Sequence, residues 1–542
     1  ADTPQVTTAF NIPSYDPGYF SFTPGDGSCV PLNIWAGSTG ITQEAVDWVT
    51  EDSHSQTTIE QLVISASIAG DSSEYFELPY GPLYFALGGE YRKEESEATF
   101  DAWRLGVIPE GSQYTAGTQV SDYSTNNSLV FQPSIRTANE TGDFDVSEVF
   151  LEVSVPLIQG ETLIEELTLD LAARYSDYST VGDTTTWRAN LMYSPHEDLM
   201  VRLSKSQAIR APNISELFGP EVGATFRPTD PCNASVIAGI RSNDEAAANQ
   251  LQANCVADLQ SIGYNPFDDS GEYVYTDPLS AAFPGVTGGN AELQEETADT
   301  ITAGFVYNSS WLEGFSVTAD YWSIEIDDAI SAVSSDDIVN GCYVGESLNE
   351  NFCSLFTRNT DASSPQFGGL NFLRSTQVNF ARLETSGVDF SVGYDFEVGA
   401  HTFYTKVSGT KVNEIDQYTN PNDLTEVNPE LGEVNRPEWA GNINLTWKWE
   451  ELQVGWQTQY MDEQLLAGVE VEEYERGDFD DTAMMDEFWQ HDINFSYMVK
   501  ENLKMYGGIK NITDEQPFIT NFAYPASPRG RFYFVGFDMQ FK

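Results

Sequence analysis

Apolar and polar residues alternate over long stretches of this chain, and few stretches show the spacing of an amphipathic helix. Between residues 452 and 460, for example, Leu452 and Trp456 alternate with Gln453 and Gln457. Successive side chains of a β-strand point to opposite faces, so a period of two predicts half-buried strands. The fifteen predicted strands lie near residues 57–69, 80–96, 143–158, 163–178, 184–194, 198–209, 296–308, 313–329, 374–396, 400–413, 435–449, 452–464, 486–499, 502–511 and 529–541.

The predicted strands are long, and aromatic residues cluster at their ends. Most have about ten residues or more, against a mode of about five or six in globular proteins. A tilted strand needs roughly 9–11 residues to cross a bilayer. Trp447, Trp449 and Trp456 lie close to the turn at Glu450, where a girdle of aromatic side chains would meet lipid headgroups. A soluble β-sandwich also alternates, but it requires neither feature, so the pattern favours a membrane barrel.

The connections between the predicted strands alternate between short and long. Short connections fall near residues 159–162, 195–197, 309–312, 397–399, 450–451 and 500–501. Long connections cover residues 97–142, 210–295, 330–373, 414–434, 465–485 and 512–528. The links near 179–183 and 70–79 are the exceptions. This asymmetry is typical of outer-membrane barrels. The sequence therefore predicts an all-β, antiparallel transmembrane barrel with short periplasmic turns and long extracellular loops.

The charge of the chain is strongly negative. Its 542 residues include 84 Asp and Glu against 25 Lys and Arg, which gives a formal net charge of -59. Nucleic acid is excluded as a partner because binding it requires clustered Lys and Arg. Steering of cations or basic ligands would suit this charge, but its spread along the whole chain favours adaptation to a marine or saline habitat. No stretch approaches about 18 consecutive apolar residues, so no transmembrane helix is predicted.

Five cysteines occupy three places in the sequence. Cys232 and Cys255 lie in one long loop, and Cys342 and Cys353 lie in another. No Cys-x-x-Cys spacing occurs and the four His residues are scattered, so a zinc site is not predicted. The pattern favours two loop-stapling disulfides formed in an oxidising compartment. Cys29 is left over, which points to a partner outside this chain.

Catalytic signatures are missing from the sequence. The sequence contains no nucleophile elbow, no phosphate-binding loop, no zinc-binding helix motif and no dinucleotide-binding motif. No catalytic residue and no organic cofactor are therefore predicted. An acidic run covers residues 469–481, and Asp268, Asp269 and Glu272 lack the spacing of an EF-hand. Ca²⁺ or another divalent cation would bind these acidic loops only opportunistically, and solvated charged loops are the favoured interpretation.

Ligand contacts in such a barrel would come from outward loops and from the inner wall. The longest loop is rich in aromatic residues whose rings would stack on a sugar or on catecholates. These candidates are Phe226, Tyr264, Phe267, Tyr273 and Tyr275. The alternative, which we favour, is that the rings pack this loop on itself around the Cys232 and Cys255 staple.

Several segments carry more specific motifs. An Arg-Ala-Pro sequence ends the strand near 198–209, and a Gly-Val-Asp sequence lies in the strand near 374–396. A Gly-Arg pair opens the last strand, which ends in an aromatic residue. The motif residues are Arg210, Ala211, Pro212, Gly387, Asp389, Gly530, Arg531 and Phe541. These segments resemble the TonB-dependent receptors of the outer membrane, and the resemblance covers most of the chain.

The resemblance implies a transporter whose lumen is blocked by an N-terminal plug. The inner-membrane TonB complex, acting through the plug and a TonB box, would displace the plug so that a scarce nutrient enters the cell. Plugged transporters have about 22 strands, so residues 57–542 would form the last fifteen. Residues 1–56 would be an extracellular loop that follows a strand outside this chain. The plug and a cysteine partner for Cys29 would also lie outside this chain.

The nutrient is left open by the sequence: an oligosaccharide, a peptide and a ferric chelate all fit. Outer-membrane lipid is the other expected partner, because the barrel faces it. Two further classes of protein are also compatible with the pattern. One is a passive porin or a surface adhesin with the same barrel, and the other is a secreted β-rich glycan-binding protein.

Overall fold

The computed structural model describes residues 41–50, 52–101, 104–105, 138–242, 244–278, 282–418, 427–466, 468–477, 479–518 and 524–541, and strands dominate them. The strands are β1 (Ser55–Asp71), β2 (Tyr84–Phe100), β3 (Glu140–Glu161), β4 (Ile164–Tyr178), β5 (Gly182–His196), β6 (Leu199–Arg210), β7 (Val222–Phe226), β8 (Phe283–Gly288), β9 (Glu296–Asn308), β10 (Phe315–Ala332), β11 (Phe356–Arg358), β12 (Leu370–Val398), β13 (His401–Tyr418), β14 (Val427–Pro429), β15 (Trp439–Trp449), β16 (Leu452–Met461), β17 (Gln464–Leu465), β18 (Met484–Met485), β19 (Phe488–Lys500), β20 (Leu503–Lys510) and β21 (Phe532–Met539). The helices are α1 (Gln43–Val49), α2 (Ile214–Phe218), α3 (Ala234–Arg241), α4 (Glu245–Ser261), α5 (Ser335–Tyr343), α6 (Glu350–Cys353) and α7 (Val471–Glu475), and a 3₁₀ turn covers Asp481–Ala483.

Fifteen long strands form an antiparallel meander, in which each strand pairs with the next long strand along the chain. Their order is β1-β2-β3-β4-β5-β6-β9-β10-β12-β13-β15-β16-β19-β20-β21. All fifteen strands predicted from the alternation are present, with ends shifted by a few residues. Short turns join the strands at one end of the sheet and long connections join them at the other, apart from the longer link after β1 and the short link after β4. The predicted asymmetry is therefore confirmed together with its two exceptions.

The first and last strands form the two edges of this sheet. In the part of the chain that the structure describes, β1 pairs only with β2, and β21 pairs only with β20. Every residue of β1 is exposed, and most of β21 is exposed too. An unpaired backbone edge is strongly unfavourable within a bilayer, because lipid offers no hydrogen-bond partner. Within a membrane both edges would therefore need hydrogen-bond partners that the neighbouring described strands do not provide.

The pairing register divides the sheet into an apolar and a polar face, because directly opposed residues of an antiparallel pair lie on the same face. Leu445 of β15 is opposed by Trp456 of β16, whereas its neighbour Asn444 is opposed by Gln457. The apolar face is exposed along the whole sheet. Its exposed residues include Ile68, Leu87, Leu151, Leu171 and Leu203. Such a face suits lipid, and the polar face then lines the lumen.

A pair of arginine substitutions tests this assignment of faces. Leu445→Arg is expected to destabilise the folded protein by about 2 kcal/mol, because it brings a charge into the hydrocarbon layer. Asn444→Arg, one residue away, enters the polar lumen and should cost much less. Urea unfolding of the full-length protein in lipid vesicles compares both variants with the native sequence. Equal losses at the two positions would contradict the assignment.

Two long loops fold together into a small domain at the long-loop end, which we call the crown (residues 222–288 and 333–373). β7 pairs with β8, and β8 runs parallel to the start of β12, whose first residues also pair with β11. Helices α3 to α6 pack against these strands around a core that includes Leu259, Ile338 and Leu373, all fully buried. The crown is therefore a folded unit with its own core.

The helices of the crown correct the sequence interpretation, which assigned both segments to loop. The long helix α4 is capped by Asp244, whose side chain accepts hydrogen bonds from the backbone N–H groups of Ala246 and Ala247. Its buried residues include Ala248, Leu251, Cys255 and Leu259. They recur at helical spacing, which places them on one face. That short apolar stripe is hard to distinguish from loop composition in a segment otherwise rich in Ala, Asn and Gln.

In the residues that the structure describes, the other long connections contain only short helices and strands. In the 465–485 loop, β17 pairs with β18, and α7 lies between them in sequence. In the 414–434 loop, β13 extends to Tyr418 and β14 covers Val427–Pro429, so less of this segment lies outside strands than the sequence predicts. Most of the 97–142 loop and Cys29 lie outside the described residues. No helix in the described ranges is both long and apolar enough to cross a membrane.

Candidate ligand-binding surface

The inner face of β3 to β6 carries charged side chains, and we call it the charged wall. Arg174 donates a hydrogen bond to Glu148 at 3.3 Å, and its guanidinium lies 5.3 Å from the centroid of the Phe150 ring. Ser176 Oγ donates to the same carboxylate at 2.6 Å. Arg188 is exposed in this wall and pairs with no carboxylate among the described residues. The charged wall surrounds a depression of about 450 Å³.

An ion pair continues the polar inner face across the middle of the sheet. Arg202 of β6 donates two hydrogen bonds to Asp320 of β10, at 2.7 and 2.6 Å. The two side chains meet over Gly304 of β9, where a β-carbon would collide with the Asp320 carboxylate. On the next strand Asp389, one of the motif residues, accepts a hydrogen bond from Thr410 at 2.5 Å. The motif aspartate therefore belongs to the inner wall.

Uncharged amide side chains dominate the inner face of β15, β16 and β19, and we call this surface the amide wall. Asn444, Gln457 and Asp492 lie in one row across the three strands, as the pairing register shows. Seven amides share this face. They are Asn442, Asn444, Gln453, Gln457, Gln459, Gln490 and Asn494. A depression of about 370 Å³ lies beside them, and Tyr506 and Phe534 are part of its lining.

The Arg-Ala-Pro motif fixes the end of β6 at the long-loop side. Arg210 pairs with Glu296 at 2.5 Å and with Glu216 at 3.0 Å. Ala211 and Pro212 follow and lead into α2, whose N-cap Asn213 forms a reciprocal capping box with Glu216. Since Glu296 begins β9, the motif joins three segments that meet at the rim. In the described structure the motif therefore positions the strand ends.

Asn379 and the motif residue Gly387 fix the position of β12. Asn379 donates hydrogen bonds to the carbonyl groups of Gln294 and Asp328, both at 2.9 Å. Gly387 lies at a bulge in the pairing of β12 with β13. A β-carbon at Gly387 would collide with the Trp322 ring and with the backbone carbonyl of Lys411. Glycine is therefore required here by close packing.

The C-terminal motif shapes the turn before β21. Gly530 has a φ of 62°, in the left-handed region that favours glycine. The backbone N–H of Arg531 donates to Asp514 at 2.7 Å, which ties this turn to the end of β20. Phe541 lies just beyond β21 and is 87% exposed. These residues are thus placed by the structure at the edge of the sheet.

A buried arginine holds the two halves of the crown together. Arg358 of β11 donates to Asp230 at 2.6 and 3.0 Å and to Asp258 at 2.8 Å. Its side chain is 2% exposed, and that of Asp230 is fully buried. The hydroxyl groups of Tyr275 and Tyr343 complete the cluster, and burial raises the pKa of both phenols well above the usual range. This cluster was not predicted from the sequence.

The aromatic candidates of the longest loop belong to the crown and pack on it. Tyr275 is 1% exposed and its hydroxyl is bonded to Arg358, so this ring offers almost no surface to a ligand in this structure. Tyr264 lies against Tyr275 with ring centroids 5.4 Å apart, and Phe267 lies against Tyr273 at 5.9 Å. Phe226 packs on the same core. The structure thus supports the alternative in which these rings fold the loop, and ligand contact by the four partly exposed rings stays a prediction.

Both predicted disulfides are present and both lie in the crown. Cys232 is bonded to Cys255, and Cys342 is bonded to Cys353. The first joins the turn before α3 to α4, and the second joins α5 to α6. Three of the four sulfur atoms belong to fully buried residues. The loop-stapling interpretation is therefore confirmed.

The acidic segments show no arrangement typical of a metal site. Among the described residues, no group of three or more His, Cys, Asp or Glu side chains is placed to hold a metal ion. The Asp268 carboxylate accepts hydrogen bonds from Ser270 and Glu272, which lowers its pKa. It is thus occupied within its own turn. Opportunistic binding of Ca²⁺ to the acidic loops stays a prediction.

One carboxyl group between two loops is expected to make their contact depend on pH. Glu433 is 9% exposed and bonded to Arg436 at 2.6 Å. Burial, together with the neighbouring Glu470 and Glu430 carboxylates, raises its pKa to about 7. The folded chain therefore binds this proton more tightly than the unfolded chain, so the stabilisation is complete below the ordinary glutamate pKa and is lost as the pH rises through 7.

Limited proteolysis of the 465–485 loop between pH 5 and pH 8 measures this effect. Cleavage should become faster toward pH 8, after correction with a reference substrate. Glu433→Gln stays uncharged throughout and should keep the loop protected at pH 8. The idea fails if the variant and the native protein show the same pH profile.

The exposed apolar face, the polar inner face and the separation of short turns from long loops define the wall of an outer-membrane β-barrel. Residues 7–512 match the family described as TonB dependent receptor-like, beta-barrel, and the chain belongs to this family. It is a family of receptors rather than of enzymes, and its members reside in the outer membrane of Gram-negative bacteria. The predicted family, fold class and location are confirmed, and the secreted glycan-binding protein is ruled out.

Solved structures of siderophore receptors have a similar fold. The siderophore receptor PirA from Acinetobacter baumannii aligns with a TM-score of 0.53 and 13% identity, over 90% of this chain and 55% of its own. The ferric enterobactin receptor PfeA from Pseudomonas aeruginosa, in complex with enterobactin, aligns with a TM-score of 0.51 and 12% identity, over 89% and 54%. The chain thus spans about half the length of these proteins, and identities this low show the fold alone. No curated protein matches the chain.

Proposed function

We propose that this chain forms most of the barrel of an outer-membrane receptor that takes up a ferric chelate. The observation that carries the proposal is the inner face, where hydrogen-bonding side chains line the sheet below a folded crown. Membership of the receptor family and the siderophore receptors among the similar folds support the choice of a chelate over an oligosaccharide or a peptide.

Energised transport is part of the same proposal. In a receptor of this family a plug would fill the lumen and contact the charged wall, where Arg188 is free to pair with an acidic side chain. The TonB complex would then displace the plug, and outer-membrane lipid would surround the apolar face. No bond is made or broken by the chain itself in this mechanism.

The unpaired edges of β1 and β21 lead us to propose that strands outside this sequence close the barrel. Each edge leaves a row of backbone groups that lipid does not satisfy, and the alignments cover only 54–55% of the matched structures. The protein purified from its source bacterium should therefore have an intact mass well above the 60.0 kDa of this chain. A native mass of 60.0 kDa with Ala1 at the N-terminus would contradict this.

Uptake by the source bacterium tests the transport proposal. The gene for this receptor is deleted, and import of ⁵⁵Fe is measured with the chelators that the same strain secretes into iron-poor medium. We expect import to fall severalfold in the deletion strain and in a strain without TonB, and to return with the gene supplied in trans. Unchanged import after deletion would overturn the proposal.

A further inference from the structure

The lipid-facing side of β16 and β19 carries a short chain of hydrogen bonds among its apolar side chains. Thr458 and His491 are directly opposed, and they share the exposed apolar face on which Trp456 opposes Leu445. The Trp456 Nε1–H donates to Thr458 Oγ1 at 2.9 Å, and Thr458 Oγ1 lies 2.9 Å from His491 Nδ1. We call these three residues, Trp456, Thr458 and His491, the outer relay.

The direction of the outer relay follows from the indole, which donates only. Thr458 Oγ1 therefore accepts from Trp456. Thr458 is 5% exposed, and its hydroxyl has no further partner in the described part of the chain except His491 Nδ1. A buried hydroxyl rarely leaves its proton unpaired, so it donates to this nitrogen. His491 Nδ1 is then an acceptor, and the neutral ring carries its proton on Nε2.

The Nε2–H group of His491 has no acceptor among the residues that the structure describes. The two rings beside it are the indoles of Trp456 and Trp489, with centroids 5.5 and 6.4 Å from that of His491. These indoles are 40% and 39% exposed on the outer face, and neither carries an acceptor. A donor in apolar surroundings is unfavourable without an acceptor. The acceptor for His491 must therefore come from outside the barrel.

The height of His491 on the barrel identifies these surroundings. Leu452 opposes Trp449 at a short turn, and Tyr460 opposes Trp489 eight residues further along β16. A strand rises about 3.4 Å per residue and tilts by about 35–45°, so these pairs differ in height by about 20 Å. Aromatic girdles flank an apolar band of about 25 Å, which places Tyr460 and Trp489 at the upper girdle. His491 lies two residues below Trp489, about 5 Å deeper, at the level of the acyl carbonyls of the outer leaflet.

A second histidine on the same face shows the same arrangement at the opposite girdle. The Trp447 Nε1–H donates to His401 Nδ1 at 3.1 Å, which again leaves the ring proton on Nε2. His401 opposes Trp449 and begins β13 directly after a short turn, where water supplies an acceptor. Of these two histidines, His491 is the one that lies inside the apolar band.

We propose that the outer relay binds an acyl carbonyl group of an outer-leaflet lipid through the Nε2–H of His491. A carbonyl oxygen accepts without carrying charge, and its acyl chain would pack on the exposed indoles of Trp456 and Trp489. A phosphate is a poorer match, because the Tyr460 hydroxyl donates to the Asp462 carboxylate at 3.1 Å at the headgroup level, and two anions repel. This lipid site is independent of the nutrient that the receptor takes up.

Nitrogen NMR of the native receptor in two lipids tests the proposal. The full-length receptor, labelled with ¹⁵N-histidine, is reconstituted in vesicles of dioleoylphosphatidylcholine or of its ether analogue, which has the same headgroup and chains but no acyl carbonyl. The His491 signal is identified by its loss in His491→Gln. We expect the ring proton on Nε2, and we expect the Nε2 resonance to move upfield in the ether lipid because the donor loses its acceptor. A proton on Nδ1 would overturn the proposal. So would an identical Nε2 resonance in both lipids, which is the result if water is the acceptor.

A matched pair of substitutions measures what the contact contributes to stability. His491→Phe keeps a ring beside the two indoles but removes the donor, and His196→Phe makes the same change at a short turn, where the side chain is 65% exposed. Urea unfolding of both variants and of the native protein is compared in the two lipids. Relative to His491→Phe, the native protein and His196→Phe should show an unfolding constant about fivefold larger in the ether lipid, the size of one net hydrogen bond. The bond that Thr458 loses in His491→Phe is lost in both lipids and cancels. If all three proteins respond equally to the lipid, no acyl carbonyl is bound at His491.

Discussion

Arg358→Met is expected to destabilise the crown by about 3–5 kcal/mol, the largest effect of any single substitution considered. The arginine is 2% exposed and faces Asp230, whose side chain is fully buried. Without it, that carboxylate keeps only the backbone N–H of Cys232 and the Tyr275 hydroxyl as partners. An unpaired buried charge is far more costly than the loss of an exposed ion pair.

Hydrogen exchange of the full-length protein in detergent micelles measures this loss. Amides of α4 and β11 should exchange much faster in the variant, while the strands of the barrel serve as an internal reference. Arg374→Met is the matched control, since Arg374 pairs with Glu221 where both side chains are almost half exposed. It should cost less than about 1 kcal/mol.

A second substitution separates the unpaired charge from the loss of packing. In Arg358→Met/Asp230→Leu the arginine and the fully buried carboxylate are both replaced by apolar groups of similar size, while the partly exposed Asp258 stays. Much of the lost stability should therefore return. If the double variant is as unstable as Arg358→Met alone, the buried charge is not the cause. The cluster would then stabilise the crown through the shape and hydrogen bonds of arginine.

The strands could be predicted because their signal is local. In runs such as β15 and β16, each residue faces lipid or lumen according to its parity, and the turn at Glu450 separates the two runs in the sequence itself. The bilayer adds a constraint on strand length, which separated the barrel from a sandwich. The disulfides followed from the position of each cysteine pair within one long loop.

The crown could not be predicted because its contacts are distant in sequence. Arg358 lies 128 residues from Asp230 and 100 residues from Asp258. Nothing near Arg358 in the sequence marks it as buried. Tyr275 is a ligand-contact candidate by sequence for the same reason, since composition does not distinguish a core tyrosine from an exposed one.

The amide wall lies between these two cases. The polar residues of each run were visible in the alternation, including Asn444 and Gln457. What the sequence did not show was the register that aligns three strands and makes one surface of them. A run of amides at alternate positions of consecutive strands is the signal that would identify such a wall in other chains.

Removal of the Cys232–Cys255 disulfide is expected to cost the crown about 3 kcal/mol. The bond closes a segment of 23 residues, and the chain-entropy estimate for a loop of that length gives this magnitude. Both cysteines are fully buried, so alanine is the replacement that leaves no unsatisfied polar group. Faster hydrogen exchange in α3 and α4 of Cys232→Ala/Cys255→Ala would report the loss.

The second disulfide provides the comparison that makes this test specific. Cys342–Cys353 closes only 11 residues, so Cys342→Ala/Cys353→Ala should cost a few tenths of a kcal/mol less. Both bonds lie in one core, and their removal together should therefore expose all four helices of the crown to exchange. If each pair affects only the helices that it joins, the crown consists of two separate units. The Arg358 cluster would then link units that fold independently, which is the outcome that the shared core argues against.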